Sequence, residues 1–201
     1  MKKTVTLAVA TFVLVNAASF AQEPATSADQ LYRDFKSAEF AWKLEPLPSP
    51  ADWKTSCGPK SFGFYCQTES SERYLSLREK LFEMSKAGDA GAIFYVGVIT
   101  LSDGDRFQGD GALVAYEDAL KLFKKSCALG VYTGCWNAGT MLLEGKASVR
   151  SGSAAAEWLF KAGIGYLKIS ERDRAYAALD LIRSVDPKHQ LAKRLQKEIE
   201  K

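Results

Sequence analysis

Four cysteines are the residues of this sequence best able to form covalent links or hold a metal, and they fall in two close pairs. Eight residues separate Cys57 from Cys66, and seven separate Cys127 from Cys135. An even number of cysteines in an oxidising compartment favours two disulfides. Four cysteines allow three pairings, of which proximity favours pairing within each close pair. Zinc is the alternative, but no Cys-x-x-Cys occurs and His189 is the single histidine. We therefore predict disulfides and no metal ion.

A catalytic set is not recognisable in the sequence. No Ser-x-x-Lys occurs, residues 102–104 (Ser-Asp-Gly) lack the Asn of Ser-Asp-Asn, and residues 132–134 (Tyr-Thr-Gly) lack the Lys of Lys-Thr-Gly. A Ser or Cys nucleophile would lack an obvious base, because His189 lies near a charged terminus. The aspartates of residues 103–111 lack the ligand spacing of a calcium hand, and no glycine-rich phosphate loop is present. We predict that the protein is not an enzyme and carries no cofactor.

The first residues predict an export signal. Residues 1–4 (Met-Lys-Lys-Thr) precede a mostly apolar run over residues 5–15, which is too short to span a bilayer. Ser19 and Ala21 then supply the small side chains that signal peptidase needs. We place cleavage after Ala21, with Ala18 as the alternative, so that residues 1–21 form the signal peptide. No later segment is apolar enough to anchor the chain in a membrane, and we expect a soluble periplasmic or secreted protein.

The charge balance of the exported chain argues against two classes of partner. Removal of Lys2 and Lys3 with the signal peptide lowers the formal net charge from +3 to +1 and leaves 180 residues, enough for one good core. Nucleic acid and anionic membranes both select a basic footprint, and the sequence shows no Lys/Arg stripe. We therefore expect neither as the main partner.

Hydrophobic spacing divides the exported chain into an N-terminal segment, residues 22–70, and a helical domain, residues 71–201. In the first segment a short leader precedes a helix that begins at Ser27 and is ended by a Pro-rich stretch at residues 46–50. A loop closed by Cys57 and Cys66 follows. The second segment begins with a helix over residues 71–87, which Gly88 ends, and finishes with a charged cap helix over residues 187–201. The apolar faces of these three helices comprise Leu31, Phe35, Ala38 and Trp42, then Tyr74, Leu77, Leu81 and Met84, and finally Leu191, Leu195 and Ile199.

Between these helices the chain repeats itself. Residues 92–97 match residues 134–139, and residues 119–127 align without gaps on residues 155–163. The first pair of segments is 42 residues apart and the second pair is 36 apart. We therefore predict that six extra residues lie in the first unit's loop between helices, around residues 103–111, since repeat arrays accept insertions in loops.

The repeated segments resemble the Sel-like repeat family, a tetratricopeptide-related class of paired-helix bacterial repeats. The residues that carry the resemblance are Phe94 or Trp136, Gly97 or Gly139, Gly104 or Gly145, and the helix of Ala119 or Ala155. The chain departs from the family where the usual Tyr is Thr100 or Leu142. The last helices resemble a tetratricopeptide unit. The family likeness implies an all-α fold, namely a short right-handed α-solenoid of antiparallel helix pairs. The spacing of Cys127 and Cys135 is similar to that of the secreted members of the family, whose repeats are stapled by disulfides.

The resemblance implies protein binding on the first helix of each pair. The candidate partner-binding residues are Ile93, Tyr95, Asn137, Thr140, Phe160, Ile164 and Lys168, whereas Trp136 and Trp158 are predicted to fill the core. Phe160 and Ile164 are covered by a neighbouring helix or, as the alternative, form a groove. We expect an exported module that binds another protein or peptide, one form of which is an immunity protein against a secreted effector. The alternative, attached to some cysteine-rich relatives, is a cell-wall or β-lactam hydrolase.

Overall fold

The computed structural model describes residues 27–44, 69–106, 108–147 and 150–201. Across these ranges the chain forms eight helices and no strand. The helices are α1 (Ser27–Leu44), α2 (Glu69–Lys86), α3 (Ala90–Arg106), α4 (Asp110–Ala128), α5 (Tyr132–Glu144), α6 (Gly152–Lys168), α7 (Arg172–Val185) and α8 (Gln190–Ile199). The predicted signal peptide, leader, Pro-rich stretch and Cys57–Cys66 loop lie outside the described residues.

The helix boundaries follow local signals in the sequence. Helix α1 begins at Ser27, as predicted, and buries Phe35 and Ala38 from the predicted apolar face. Helix α2 begins slightly before the predicted residue 71 and ends just before Gly88, whose positive φ of +94° favours glycine. Helix α8 buries Leu195 completely, as the predicted cap helix should. Amphipathic spacing therefore located these helices well.

Each helix packs against the next one along the chain, and α1 also packs against α3, as α6 does against α8. The buried side chains form two adjoining clusters, to both of which α5 and α6 contribute. Helix α1 supplies Tyr32 and Phe35 to the first cluster. The helix that the sequence assigned to a separate N-terminal segment thus shares a core with the repeated helices.

Two glycines show that the repeated helix pairs close in the same way. A Cβ atom at Gly97 would lie 2.9 Å from Cε1 of Phe123, and one at Gly139 would lie 2.7 Å from Cγ of Leu159. Phe123 and Leu159 are equivalent in the gapless alignment of the second helices. The α3–α4 and α5–α6 pairs therefore use the same glycine to bring equivalent side chains into contact.

The prediction of a long loop over residues 103–111 was wrong. Helix α3 continues to Arg106 and α4 already begins at Asp110, so the extra residues extend helices. The spacing of the repeats favoured a loop, but neighbouring cations pair with two acids of this stretch, Asp103 and Asp105. Asp103 accepts a hydrogen bond from Arg78 at 2.5 Å, and Asp105 accepts one from Lys146 at 3.0 Å. These contacts stabilise the helical form.

The Cys127–Cys135 disulfide joins the end of α4 to the start of α5, with 4.8 Å between the Cα atoms. Proximity in the sequence favoured this pairing. The two helices approach so closely here that a Cβ atom at Gly134 would lie 2.1 Å from Oγ of Ser126. The disulfide and Gly134 together hold the turn between the two repeated units.

Candidate functional site

The seven predicted partner-binding residues fall in two separate regions. Ile93 and Tyr95 lie on α3, with Asn137 and Thr140 on α5. The other three, Phe160, Ile164 and Lys168, lie on α6 and line a different depression. The sequence treated them as one surface, but the structure divides them between two.

Ile93 and Tyr95 are not surface residues. Ile93 is completely buried and Tyr95 is 4% exposed. The Tyr95 ring stacks on Tyr32 of α1 at 4.1 Å between centroids, and its hydroxyl donates to Oδ1 of Asp29 at 2.6 Å. The expectation that these positions lie outside the packing was wrong because both side chains are buried, Tyr95 of them against α1. A partner could reach Tyr95 only if α1 moved away.

Asn137 and Thr140 line a cavity of about 240 Å³ between α1, α3 and α5, with Tyr74 of α2 also on its wall. We call it the α1/α3/α5 cavity. Its apolar lining is Tyr32, Phe35, Tyr74, Val98, Ile99, Leu101 and Met141. Its volume is below the usual range for drug-sized ligands, which begins at about 300 Å³. The cavity therefore suits one amino-acid side chain or a molecule of that size.

Ion pairs close one side of this cavity. Glu39 of α1 is 5% exposed, accepts a hydrogen bond from Nη2 of Arg106 at 2.8 Å, and also pairs with Lys36. Partial burial acts to lower the pKa of Arg106, but the hydrogen bond and charge of Glu39 outweigh it and raise this pKa. Arg106 consequently stays charged, which is what a buried carboxylate needs as a partner.

Tyrosine hydroxyls near the cavity stay protonated. Burial, helped by the charge of Glu39, raises the pKa of Tyr32 above its usual value. For Tyr95, burial and the hydrogen bond to Asp29 act in the same direction. These phenols are therefore neutral at physiological pH, and they pack as aromatic rings with one polar end.

Asn137 differs from the other buried polar residues of the cavity. It is 6% exposed, and among the described residues its carboxamide has no hydrogen-bond partner. By contrast, Thr140 donates its hydroxyl to the backbone oxygen of Asn137 at 3.1 Å, and Glu39 is ion-paired. Buried polar groups are normally satisfied. The Asn137 amide thus offers the N–H donors of its NH2 group and its carbonyl acceptor to a molecule in the cavity.

Phe160, Ile164 and Lys168 line an open depression of about 380 Å³ beside the Cys127–Cys135 disulfide, which we call the disulfide groove. Phe160 and Ile164 are half-buried, so neither full coverage nor free exposure describes them. Trp158 also lines the groove. Like Trp136, it is half-buried and packs against a core cluster, so both tryptophans belong only in part to the core. Lys124 and Lys161 lie over the Trp158 ring.

The sequence interpretation missed Glu39, Arg106 and the lysines near Trp158. Glu39 left a signal, since it follows Phe35 by one helical turn on the predicted apolar face of α1. A charge at such a position is costly unless it has a partner elsewhere in the fold. No local sequence pattern predicted the placement of Lys124 and Lys161 beside Trp158, because it depends on how α4 and α6 pack.

The described residues can also be searched for a metal site and for a helix that could span a membrane. Within the described ranges, no group of three or more His, Cys, Asp or Glu residues could hold a metal ion. Nδ1 of His189 accepts a hydrogen bond from the backbone N–H of Leu191 at 3.1 Å, which caps α8. None of the described helices is both long and apolar enough to cross a membrane.

Comparison of the chain with protein-family models, with curated proteins and with solved structures finds no match. Evidence for function therefore comes from the residues and their geometry.

Proposed function

We propose that this protein is an exported, periplasmic module that binds another protein or peptide. In this proposal its helices form a short right-handed α-solenoid of antiparallel Sel-like and tetratricopeptide-like pairs. The equivalent contacts of Gly97 with Phe123 and of Gly139 with Leu159 support repeated pairs. The sequential packing of the helices and the disulfide between the two units agree with such an array.

The binding site that we propose is the α1/α3/α5 cavity. The observation that carries this choice is the carboxamide of Asn137, which has no partner among the described residues and lies on the wall of the cavity in a residue that is only 6% exposed. A partner that inserts one neutral side chain with an amide, or a turn of peptide backbone, would pair with an N–H donor and the carbonyl acceptor of that carboxamide together. The aromatic rings of Tyr32 and Phe35 would contact the apolar part of the same group. The paired charges around the cavity need no ionic partner.

A capture experiment with matched variants tests this function. The protein from residue 22 onward is immobilised and exposed to periplasmic extract from the source cells. We expect a discrete partner to be retained, and Asn137→Leu to weaken its retention by about tenfold. Thr100→Val is the control, because Thr100 bonds to the backbone oxygen of Val96 and does not line the cavity. Retention that is equal for all three proteins would refute the cavity as the binding site.

The immunity form of the proposal makes a narrower statement, namely that the partner is a toxic effector secreted by cells. A toxin or secretion component encoded next to this protein would favour it, whereas an adjacent wall-synthesis operon would favour the hydrolase alternative. No contact among the described residues favours the hydrolase over the binding module. His189, the single histidine, uses Nδ1 to cap a helix.

A further inference from the structure

The disulfide groove combines an apolar wall with unpaired positive charge. Lys161 and Lys168 line it, and neither makes an ion pair with any described residue. None of the described residues that line the groove carries a carboxylate. The ion pairs found elsewhere in the helical array, such as that of Lys146 with Asp105, do not extend into the groove. The groove is therefore a local concentration of cations in a chain of nearly balanced charge.

Two further cations lie against the aromatic rings of this groove. Nζ of Lys124 lies 5.6 Å from the centroid of the Trp158 ring. Nζ of Lys161 lies closer to the same centroid, at 4.1 Å. Cζ of Arg194 lies 5.1 Å from the Phe160 ring centroid. Neither Lys124 nor Arg194 has a carboxylate partner among the described residues. Such cation–π contacts position the charges but do not neutralise them.

The floor and edges of the groove are apolar. Ile164 and the Cys127–Cys135 disulfide line it. Leu129 and Ile169, which directly follow lining residues in the chain, are 51% and 42% exposed. Exposed apolar side chains next in the chain to an apolar depression favour a surface that another protein covers.

We propose that the disulfide groove docks an acidic, amphipathic segment of a partner protein. An apolar or aromatic side chain of that segment fills the depression against Ile164 and the disulfide. Flanking carboxylates of the segment pair with Lys161 and Lys168, which have no such partner within the described chain. This docking surface shares no described residue with the α1/α3/α5 cavity, so either site can operate without the other.

Charge alone does not distinguish an acidic peptide from a nucleic acid, but the shape of the groove favours the peptide. A phosphate chain needs a stripe of cations along its length. Here two lysines line one apolar depression of about 380 Å³, which has room for a side chain, and two further cations contact its aromatic rings. The apolar wall would gain nothing from phosphate, whereas it matches the anchor residue of an amphipathic segment.

A defined peptide tests the docking surface. The probe is an acetylated and amidated hexapeptide, Glu-Asp-Phe-Leu-Asp-Glu, titrated against the disulfide-bonded protein by calorimetry and tryptophan fluorescence. We expect saturable binding that weakens as salt is raised. One control peptide replaces the acids with Gln and Asn, and another replaces Phe-Leu with Ala-Ala. Both controls should bind at least about tenfold more weakly.

Charge reversal assigns the binding to the groove. Lys161→Glu with Lys168→Glu should weaken the probe by at least about tenfold. The matched control is Lys80→Glu with Lys86→Glu, which makes the same change of net charge on α2, away from the groove, and should leave affinity within about twofold. All four lysines are exposed, so circular dichroism should be unchanged.

Three results would overturn the proposal. The first is an absence of saturable probe binding up to about 1 mM. The second is equal binding by the two pairs of charge variants, which would mean that only net charge matters. The third is tighter, groove-dependent binding of a short oligothymidylate or of phosphatidylglycerol vesicles, which would assign the cations to phosphate. Asn137→Leu should leave binding of the probe peptide unchanged. A failure of the proposed docking surface can therefore be distinguished from a failure of the α1/α3/α5 cavity as a binding site.

Discussion

Asn137 provides the sharpest test of the proposed cavity, because replacing it should increase stability while reducing binding. Leucine at this position removes a carboxamide that has no described partner and places methyl groups beside Met141 and Val98. A residue that serves only the fold should behave in the opposite way. Gains in stability that accompany loss of function are typical of binding residues.

The size of the effect follows from burial. A buried polar group without a partner costs about 1–3 kcal/mol. Because Asn137 lines the cavity and its carboxamide atoms are not fully buried, we take the lower end, at most about 1 kcal/mol. That corresponds to a rise in melting temperature of about 2–4 °C for a chain of this size. Urea denaturation measures the same change as a higher midpoint at constant slope.

Helix propensity is a competing cause that a second variant removes. Leucine is a better helix former than asparagine by a few tenths of a kcal/mol, and glutamine is nearly as good. Asn137→Gln keeps the amide, so the difference in stability between the Leu and Gln variants measures removal of the polar group. If Asn137→Leu instead lowers stability by about 1 kcal/mol or more, the amide is satisfied within the native fold and the reasoning is refuted.

Four other outcomes follow from the structure. In urea denaturation, Tyr95→Ala should lower the free energy of unfolding by about 3–5 kcal/mol, because it is a large-to-small change in the core. Tyr95→Phe should lower it by about 1–2 kcal/mol through loss of the hydrogen bond to Asp29. Equal stability of Tyr95→Ala and the parent would place the ring outside the core. Burial raises the folded-state pKa of Tyr32 and Tyr95 above the unfolded value near 10. The contribution of these two phenols to the free energy of unfolding is therefore complete below about pH 10 and is lost as the pH rises further. Thermal melts above about pH 10 should show this fall in stability, and the fall should be less steep for Tyr95→Phe. Replacing Cys127 and Cys135 by Ala should lower stability by about 2–3 kcal/mol, as expected for a short loop, and an unchanged urea midpoint would contradict this. The purified protein should not turn over a chromogenic β-lactam, and turnover that disappears in a single Ser→Ala variant would reverse our expectation that it is not an enzyme.

Helices and their repeated contacts were predictable because their signals are local. Gly97 and Gly139 occupy the same position in two matched segments, and each meets the equivalent residue of the following helix. Apolar spacing likewise located the start of α1 at Ser27, and it placed the start of α8 three residues and its end two residues outside the observed bounds. Such patterns depend only on helical periodicity, which the sequence carries directly.

The division of the candidate site was not predictable, because it depends on contacts between distant segments. Tyr95 is covered by α1 through a bond to Asp29, 66 residues earlier in the chain. The disulfide groove collects Lys124 from α4, Lys161 from α6 and Arg194 from α8 onto two aromatic rings. No spacing within one helix predicts such a meeting. Packing, rather than composition, created the local positive charge.

Glu39 links the fold to the cavity. A carboxylate that is 5% exposed would strongly destabilise α1 unless a cation met it, and Arg106 of α3 does so at 2.8 Å. Such a buried pair adds little net stability compared with apolar packing, but loss of either partner leaves an uncompensated charge. The pair therefore disfavours any register of α1 that separates the two groups. Because Tyr32 and Phe35 of the same helix line the cavity, the pairing of Glu39 with Arg106 also determines the shape that a partner would meet.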